Sequence, residues 1–366
     1  MDGMSKSEPC HAAGANIFGS SKVADRKRVT SYLNGDVVDV APCFSGMGML
    51  TADSIRSLQV HFSRVHRSAE LMARSALATV EIFDFDAAVL PYDVCMLAEA
   101  LGRKIDFYEN SDDVIFPSVI SKWSDPDEVE VPRNVFERGR LSLLDAALRT
   151  LIAGSADRFA VGTWVLGPFT LAGQVYEPGL LLRAVVKDRV RVERVLDRLT
   201  DLTIESALHY QSLGVDYLTV REMGSCSDLV SPRIWKTLIL PRLQRVFAAV
   251  KIPKILHICG STNMIISMMN ECGADCLSVD QKNDIARSRR ELGNESVIFG
   301  NFDPYRTLVQ LESGEVADVI RKCIEDGVDA VWPGCDLWPA AKGDNVREYV
   351  RTVRKYGAVS TSRSCH

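Results

Sequence analysis

His257, Cys259 and Cys335 are the residues of this chain whose types and spacing point most directly to chemistry. His257-Ile258-Cys259 closes an apolar run that reads as a strand. Side chains alternate along a strand, so positions 257 and 259 face the same way and can grip one ion. Cys335 follows a second strand-like run, inside Pro333-Gly334-Cys335, and is expected at the same rim. A lone histidine on an apolar strand is more often a core residue; two thiols beside it reverse that balance. Two thiolates and an imidazole favour zinc over magnesium or calcium, which take oxygen ligands. Three protein ligands leave a fourth position open, the mark of a catalytic site. Zn2+ with two thiolates and a neutral imidazole carries no net charge. Such a site is suited to lowering the pKa of a substrate thiol while leaving its thiolate nucleophilic. Thiol alkylation is the expected chemistry, with hydrolysis second.

Three further residues are candidates for the same pocket. Asp280 follows a short strand and is read either as a fourth ligand of the empty site, as the group orienting His257, or as the cap of the next helix. Glu222, after another strand, either lines the pocket and moves protons or is a solvated loop carboxylate. Asn301, with Asp280 and Glu222, is expected to shape the pocket.

The elements that must position these residues alternate strand and helix. Eight candidate strands fall at residues 37–41, 87–91, 159–166, 217–220, 254–258, 276–279, 297–300 and 330–332. They are continuous apolar runs, as expected of parallel strands covered on both faces. Amphipathic stretches at 190–213, 232–250, 262–272 and 304–326 read as helices, the second entered through Ser231-Pro232. Gly214, Gly273 and Gly327 each end such a stretch and read as helix C-caps. The pattern predicts an α/β fold of (β/α)8 TIM-barrel type, with the chemistry at the carboxyl ends of the strands. The expected organisation is a flexible N-terminal segment at 1–25, a single barrel domain at 26–357 and a flexible tail at 358–366. Residues 97–157 are too long for one crossover and read as an insertion after the second strand, with a short hairpin at 101–107 and an acidic loop at 124–132.

The net charge of −5 and the absence of clustered Lys and Arg argue against a nucleic-acid partner. No apolar run is long enough to span a bilayer, and residues 1–25 lack the apolar core of a secretory signal. A cytoplasmic protein is expected. Ten cysteines in such a chain are read mostly as buried thiols rather than disulfides, Cys10 and Cys365 lying in the tails.

Gly300-Asn301-Phe302-Asp303-Pro304, the Gly334-Cys335-Asp336 turn with Asn345-Val346 beyond it, and Ser231-Pro232 resemble the uroporphyrinogen decarboxylase superfamily. The resemblance runs from about Arg26 to Gly357. Within it, His257-x-Cys259 with the distant Cys335 is similar to the branch of methylcobamide:coenzyme M methyltransferases. That resemblance implies a barrel, zinc at His257, Cys259 and Cys335, and a methyl group taken from a corrinoid carried by a separate small corrinoid-binding protein. The acceptor is then a small thiol such as coenzyme M. The partner must dock over the carboxyl rim, so an exposed apolar patch is expected there.

The decarboxylases carry an arginine-bearing loop after the first strand that clamps the carboxylates of a porphyrinogen. Here the loop reads Pro42-Cys43-Phe44-Ser45-Gly46-Met47-Gly48, with no arginine between Ala41 and Arg56. A polyanionic substrate would lack its charge partners. The small, apolar loop suits a flat or alkyl-bearing partner, or is an ordinary flexible turn. Three alternatives stay open: a methyltransferase using another acceptor or donor, such as tetrahydrofolate or a donor that methylates the corrinoid protein; a metal-free decarboxylase-like lyase; and a non-catalytic corrinoid- or metal-binding protein.

Overall fold

A computed structural model describes residues 24–111, 113–124 and 129–361. Cys10 and Cys365, with most of the expected N-terminal segment and the end of the expected tail, lie outside the described residues. The strands are β1 (Ala87–Leu90), β2 (Ile105–Asp106), β3 (Ser118–Val119), β4 (Ala160–Leu166), β5 (Tyr217–Arg221), β6 (Lys254–Ile258), β7 (Cys276–Val279), β8 (Ile298–Phe302) and β9 (Ala330–Pro333). Seven of them form one parallel sheet in the order β1-β4-β5-β6-β7-β8-β9. Nearly every residue of these strands is buried, which is why their sequences are apolar runs rather than alternating ones. Helices connect them, giving a TIM-barrel-like α/β fold.

The expected first strand at 37–41 is a correction: among the described residues no ladder includes it. Val37 is 72% exposed, and Pro42 supplies no N–H and restricts Ala41. Residues 41–50 instead run buried from β1 to β9, where a further strand would stand. Asp86 N–H donates to the Cys43 carbonyl (2.8 Å) and Leu337 N–H to that of Gly48 (3.0 Å). Phe44 points inward and packs edge-on against Tyr217, Phe299 and Trp332, with ring centroids 5.1–5.9 Å away. Met47 is fully buried. The segment is therefore a plug, neither a flexible turn nor an open apolar loop. Gly46 is needed there, since a Cβ would sit 2.1 Å from Thr219 Oγ1 and 3.0 Å from the Trp332 ring.

Arg189–Leu213 matches the helix expected at 190–213 and ends on Gly214 at φ 95°. The helix expected at 304–326 is instead broken at 311–312 into a π-helical turn, Arg306–Gln310, and the helix Ser313–Asp326, which ends on Gly327 at φ 100°. The helix expected at 262–272 is shorter, Ile266–Asn270. The expected hairpin at 101–107 is corrected: Ile105–Asp106 pairs antiparallel with the distant Ser118–Val119. The loop at 124–132 lies partly outside the described residues. Arg140 ties this region to the end of β1, its guanidinium donating to both oxygens of the buried Asp93 (2.7 and 3.1 Å), which also meets His66 Nδ1 (2.9 Å). The expected tail begins with residues that are docked, because Val38 N–H donates to the Val359 carbonyl (2.8 Å). No helix among the described residues is long and apolar enough to cross a membrane.

Candidate metal centre

Parallel pairing places the end of β6 between the ends of β5 and β7, with His257 in register with Arg221 on one side and Ser278 on the other. Cys259 lies one residue past β6 and Cys335 two residues past β9. His257 Nε2 is 2.8 Å from Cys259 Sγ, and Cys259 Sγ is 3.4 Å from Cys335 Sγ. One ligand atom from each of the three lies within 4.8 Å of the others. His257 Nδ1 meets Ser278 Oγ at 2.9 Å, which fixes the ring and leaves Nε2 facing the thiols.

The protonation of the donor atoms suits a metal ion. Burial, with the nearby charge of Arg221, drives the His257 pKa well below its usual value, so the imidazole is neutral and has a lone pair to offer. The two thiols share a hydrogen bond in which Cys259 donates. That bond lowers the Cys335 pKa and raises that of Cys259, so Cys335 ionises first. A neutral imidazole and two adjacent, partly exposed thiols form a donor set that zinc fits and that magnesium does not.

The other expected pocket residues are placed differently. Asp280 is outside the ligand cluster: its Oδ1 accepts from Lys282 N–H (2.9 Å), which closes the turn after β7. Ser278, not Asp280, orients His257. Asn301 braces that same turn, its side-chain amide donating to the carbonyls of Asp280 (3.2 Å) and Asn283 (2.8 Å). Glu222 is fully buried rather than solvated. Its carboxylate accepts from Phe169 N–H (3.0 Å), Thr170 N–H (2.7 Å) and the Thr170 hydroxyl (2.6 Å), capping the helix Pro168–Val175. Asn345 of the family-like motif is also structural, donating to the carbonyls of Leu308 (3.1 Å) and Leu311 (2.9 Å).

Burial pushes the Glu222 pKa up to about 7 despite the hydrogen bonds from Thr170 and Phe169. A raised carboxylate keeps its proton in the folded chain at pH values where the unfolded chain has lost it. Stability is therefore expected to fall as pH rises from the ordinary carboxylate range through about 7, by up to about 3 kcal/mol. In Glu222→Gln that part of the slope should vanish. Urea midpoints between pH 5 and 8 for both proteins check this; equal slopes would contradict it.

Two neighbours of the cluster escape a reading of the sequence. Arg221 ends β5 as a fully buried cation whose guanidinium donates to both oxygens of Asp336 (2.9 and 2.7 Å) and lies 4.7 Å over the Trp164 ring. An arginine closing an otherwise apolar strand is the signal that could have flagged it. Ser278 gives no such signal, because its partnership with His257 exists only once β6 and β7 are in register.

On the segments that follow β5, β6, β8 and β9, the apolar residues Leu229, Met264, Tyr305 and Trp338 are 43–62% exposed, and the Tyr305 and Trp338 rings meet edge-on at 5.2 Å. Phe169, Leu182, Met223 and Leu229 help to line a groove of about 300 Å³.

Fold and site together define a TIM-barrel-like α/β protein with an imidazole–dithiol cluster at the carboxyl rim of its sheet. The chain belongs to the uroporphyrinogen decarboxylase (URO-D) family, whose sequence model matches residues 24–356. It is similar to the methylcobamide:CoM methyltransferase MtaA of Methanosarcina barkeri, 27% identical over 335 residues that span 91% of this chain and 98% of that protein. It also resembles a methylated-thiol–coenzyme M methyltransferase of Methanosarcina mazei, 24% identical over 92% of this chain and 90% of that one. A solved methyltransferase from Methanosarcina mazei superposes with a TM-score of 0.85 at 26% identity, covering 90% of this chain and 98% of its own.

Proposed function

We propose that the protein is a zinc-dependent methyltransferase that moves a methyl group from a methylated corrinoid, carried by a small partner protein, to a thiol such as coenzyme M. The observation that carries this reading is the convergence of His257, Cys259 and Cys335. These three would hold the zinc. Zinc bound there supplies a mild Lewis acid that favours the thiolate form of a substrate thiol.

The chain's own residues prepare the site. Ser278 aims His257, and the thiol pair gives up its protons on loading. Transfer makes a carbon–sulfur bond and breaks the cobalt–carbon bond of the substrate, whose electron pair stays on cobalt. No general acid is then needed at the leaving group, consistent with Glu222 serving as a helix cap. Asp280 and Asn301 shape the pocket by holding the turn after β7. The exposed Leu229, Met264, Tyr305 and Trp338 suit docking of the corrinoid protein. The single domain at 26–357 and a cytoplasmic, reducing location, which keeps the thiols free, fit the same reading.

The decarboxylase-like reading is disfavoured by the segment 41–50, which has no arginine and is buried as a plug. The test is methyl transfer from methylcobalamin to 2-mercaptoethanesulfonate, with tetrahydrofolate as a competing acceptor, followed by mass spectrometry of the methylated product. A methylated thiol is expected. Zinc-loaded protein that methylates neither acceptor, or that releases carbon dioxide from uroporphyrinogen, would overturn the reading.

A further inference from the structure

Cys335 poses a positioning problem that His257 and Cys259 do not. The latter two share β6 and its immediate extension, whereas Cys335 lies on irregular chain past β9, with β7 and β8 between. Its neighbour Asp336 is held from two directions. Gly48 N–H donates to Asp336 Oδ1 (2.7 Å), and Arg221 grips both carboxylate oxygens from the end of β5. Arg221 is itself fixed by the Trp164 ring beneath it, and Trp164 Nε1 donates to the Pro91 carbonyl (3.0 Å). One end of this clamp thus sits beside His257 in register, and the other is adjacent to Cys335 in the chain.

A buried ion pair is usually a poor source of stability, because desolvation offsets the attraction. Its value lies in geometry: a bidentate arginine–carboxylate pair fixes both distance and plane. We propose that Arg221, acting through Asp336, is the positioning residue that holds Cys335 within ligand distance of His257 and Cys259. The proposal rests on the metal centre proposed for the function and assigns a role to the buried cation.

The test loads the full-length protein with Co2+ and measures its affinity and its thiolate-to-cobalt charge-transfer band. Cys335→Ser sets the intensity given by one thiolate. Arg221→Met is expected to lose roughly half the wild-type band and to weaken Co2+ binding about 10- to 100-fold. Arg221→Lys should fail to rescue, because an ammonium cannot span both oxygens. The double variant Arg221→Met/Asp336→Leu leaves no uncompensated charge in the site, so it decides the matter even where the single variant folds poorly. The same halved band in the double variant supports positioning. A full band and wild-type affinity in the double variant would overturn it, because the loss in the single variant would then come from a stranded carboxylate. Wild-type protein that binds no Co2+ would overturn the metal centre and this proposal with it, whereas intact binding in every Arg221 variant would overturn this proposal alone.

Discussion

Cys335→Ser is expected to leave a folded protein that no longer retains zinc and no longer transfers methyl groups above background. The substitution keeps the side chain's size, and Cys335 is partly exposed, so little packing is lost. What changes is the donor. A serine hydroxyl does not ionise near neutral pH and is a harder ligand than a thiolate, so the set falls from three donors to the two on the β6 segment. Because groups that merely orient a metal ligand already cost 10- to 100-fold in affinity, loss of a ligand itself should cost more than about 100-fold. Metal-free wild type and metal-free variant should unfold at similar urea concentrations, which separates a lost site from a lost fold. Retention of wild-type zinc affinity would show that Cys335 is not a ligand.

Gly334→Ala is expected to damage the same site without touching a ligand. A Cβ at this position would lie 2.3 Å from Gln281 Oε1, 2.9 Å from Gln281 N and 3.2 Å from Asp280 Cα. The Gln281 side chain can swing away; the backbone of the turn after β7 cannot, since Lys282 N–H and the Asn301 amide hold it. The strain must then move the Gly334–Cys335 segment outward, away from His257 and Cys259. Overpacking of this kind costs about 1–3 kcal/mol. Zinc affinity should fall by about an order of magnitude or more, because a ligand set misplaced by a fraction of an ångström binds poorly. Competition against a chelator, beside a urea titration of the metal-free protein, checks both effects. Unchanged affinity would mean that the two turns are not coupled.

The difference between these two residues shows what a sequence displays and what it hides. His257 and Cys259 declare themselves because a strand's period of 2 puts both on one face, and that rule needs only local chain. Cys335 is legible by its place after a strand-like run. The parallel strands are legible because burial on both faces leaves continuous apolar runs. Residues 37–41 carry the same composition, yet Pro42 and the inward turn of Phe44 make residues 41–50 a plug, and only the packed fold shows the space they fill. Glu222 looks like a loop carboxylate because the helix it caps begins far away in sequence, at Pro168. Asp280 is a candidate to orient His257, yet Ser278 does so, for a similar reason: which side chain meets His257 depends on the lateral register of β6 and β7. Arg221 and Asp336 lie more than a hundred positions apart, and only the curl of the sheet brings them together.

The proposed chemistry stands or falls on three side chains binding one zinc ion, and metal content measures that binding most directly. Protein purified without chelator should contain about one zinc per chain by elemental analysis, with one site expected from one ligand set. Chelator should remove the metal together with methyl transfer, and added zinc should restore both. Wild-type protein that contains no zinc and takes up none, yet still transfers methyl groups, would contradict a zinc-centred mechanism.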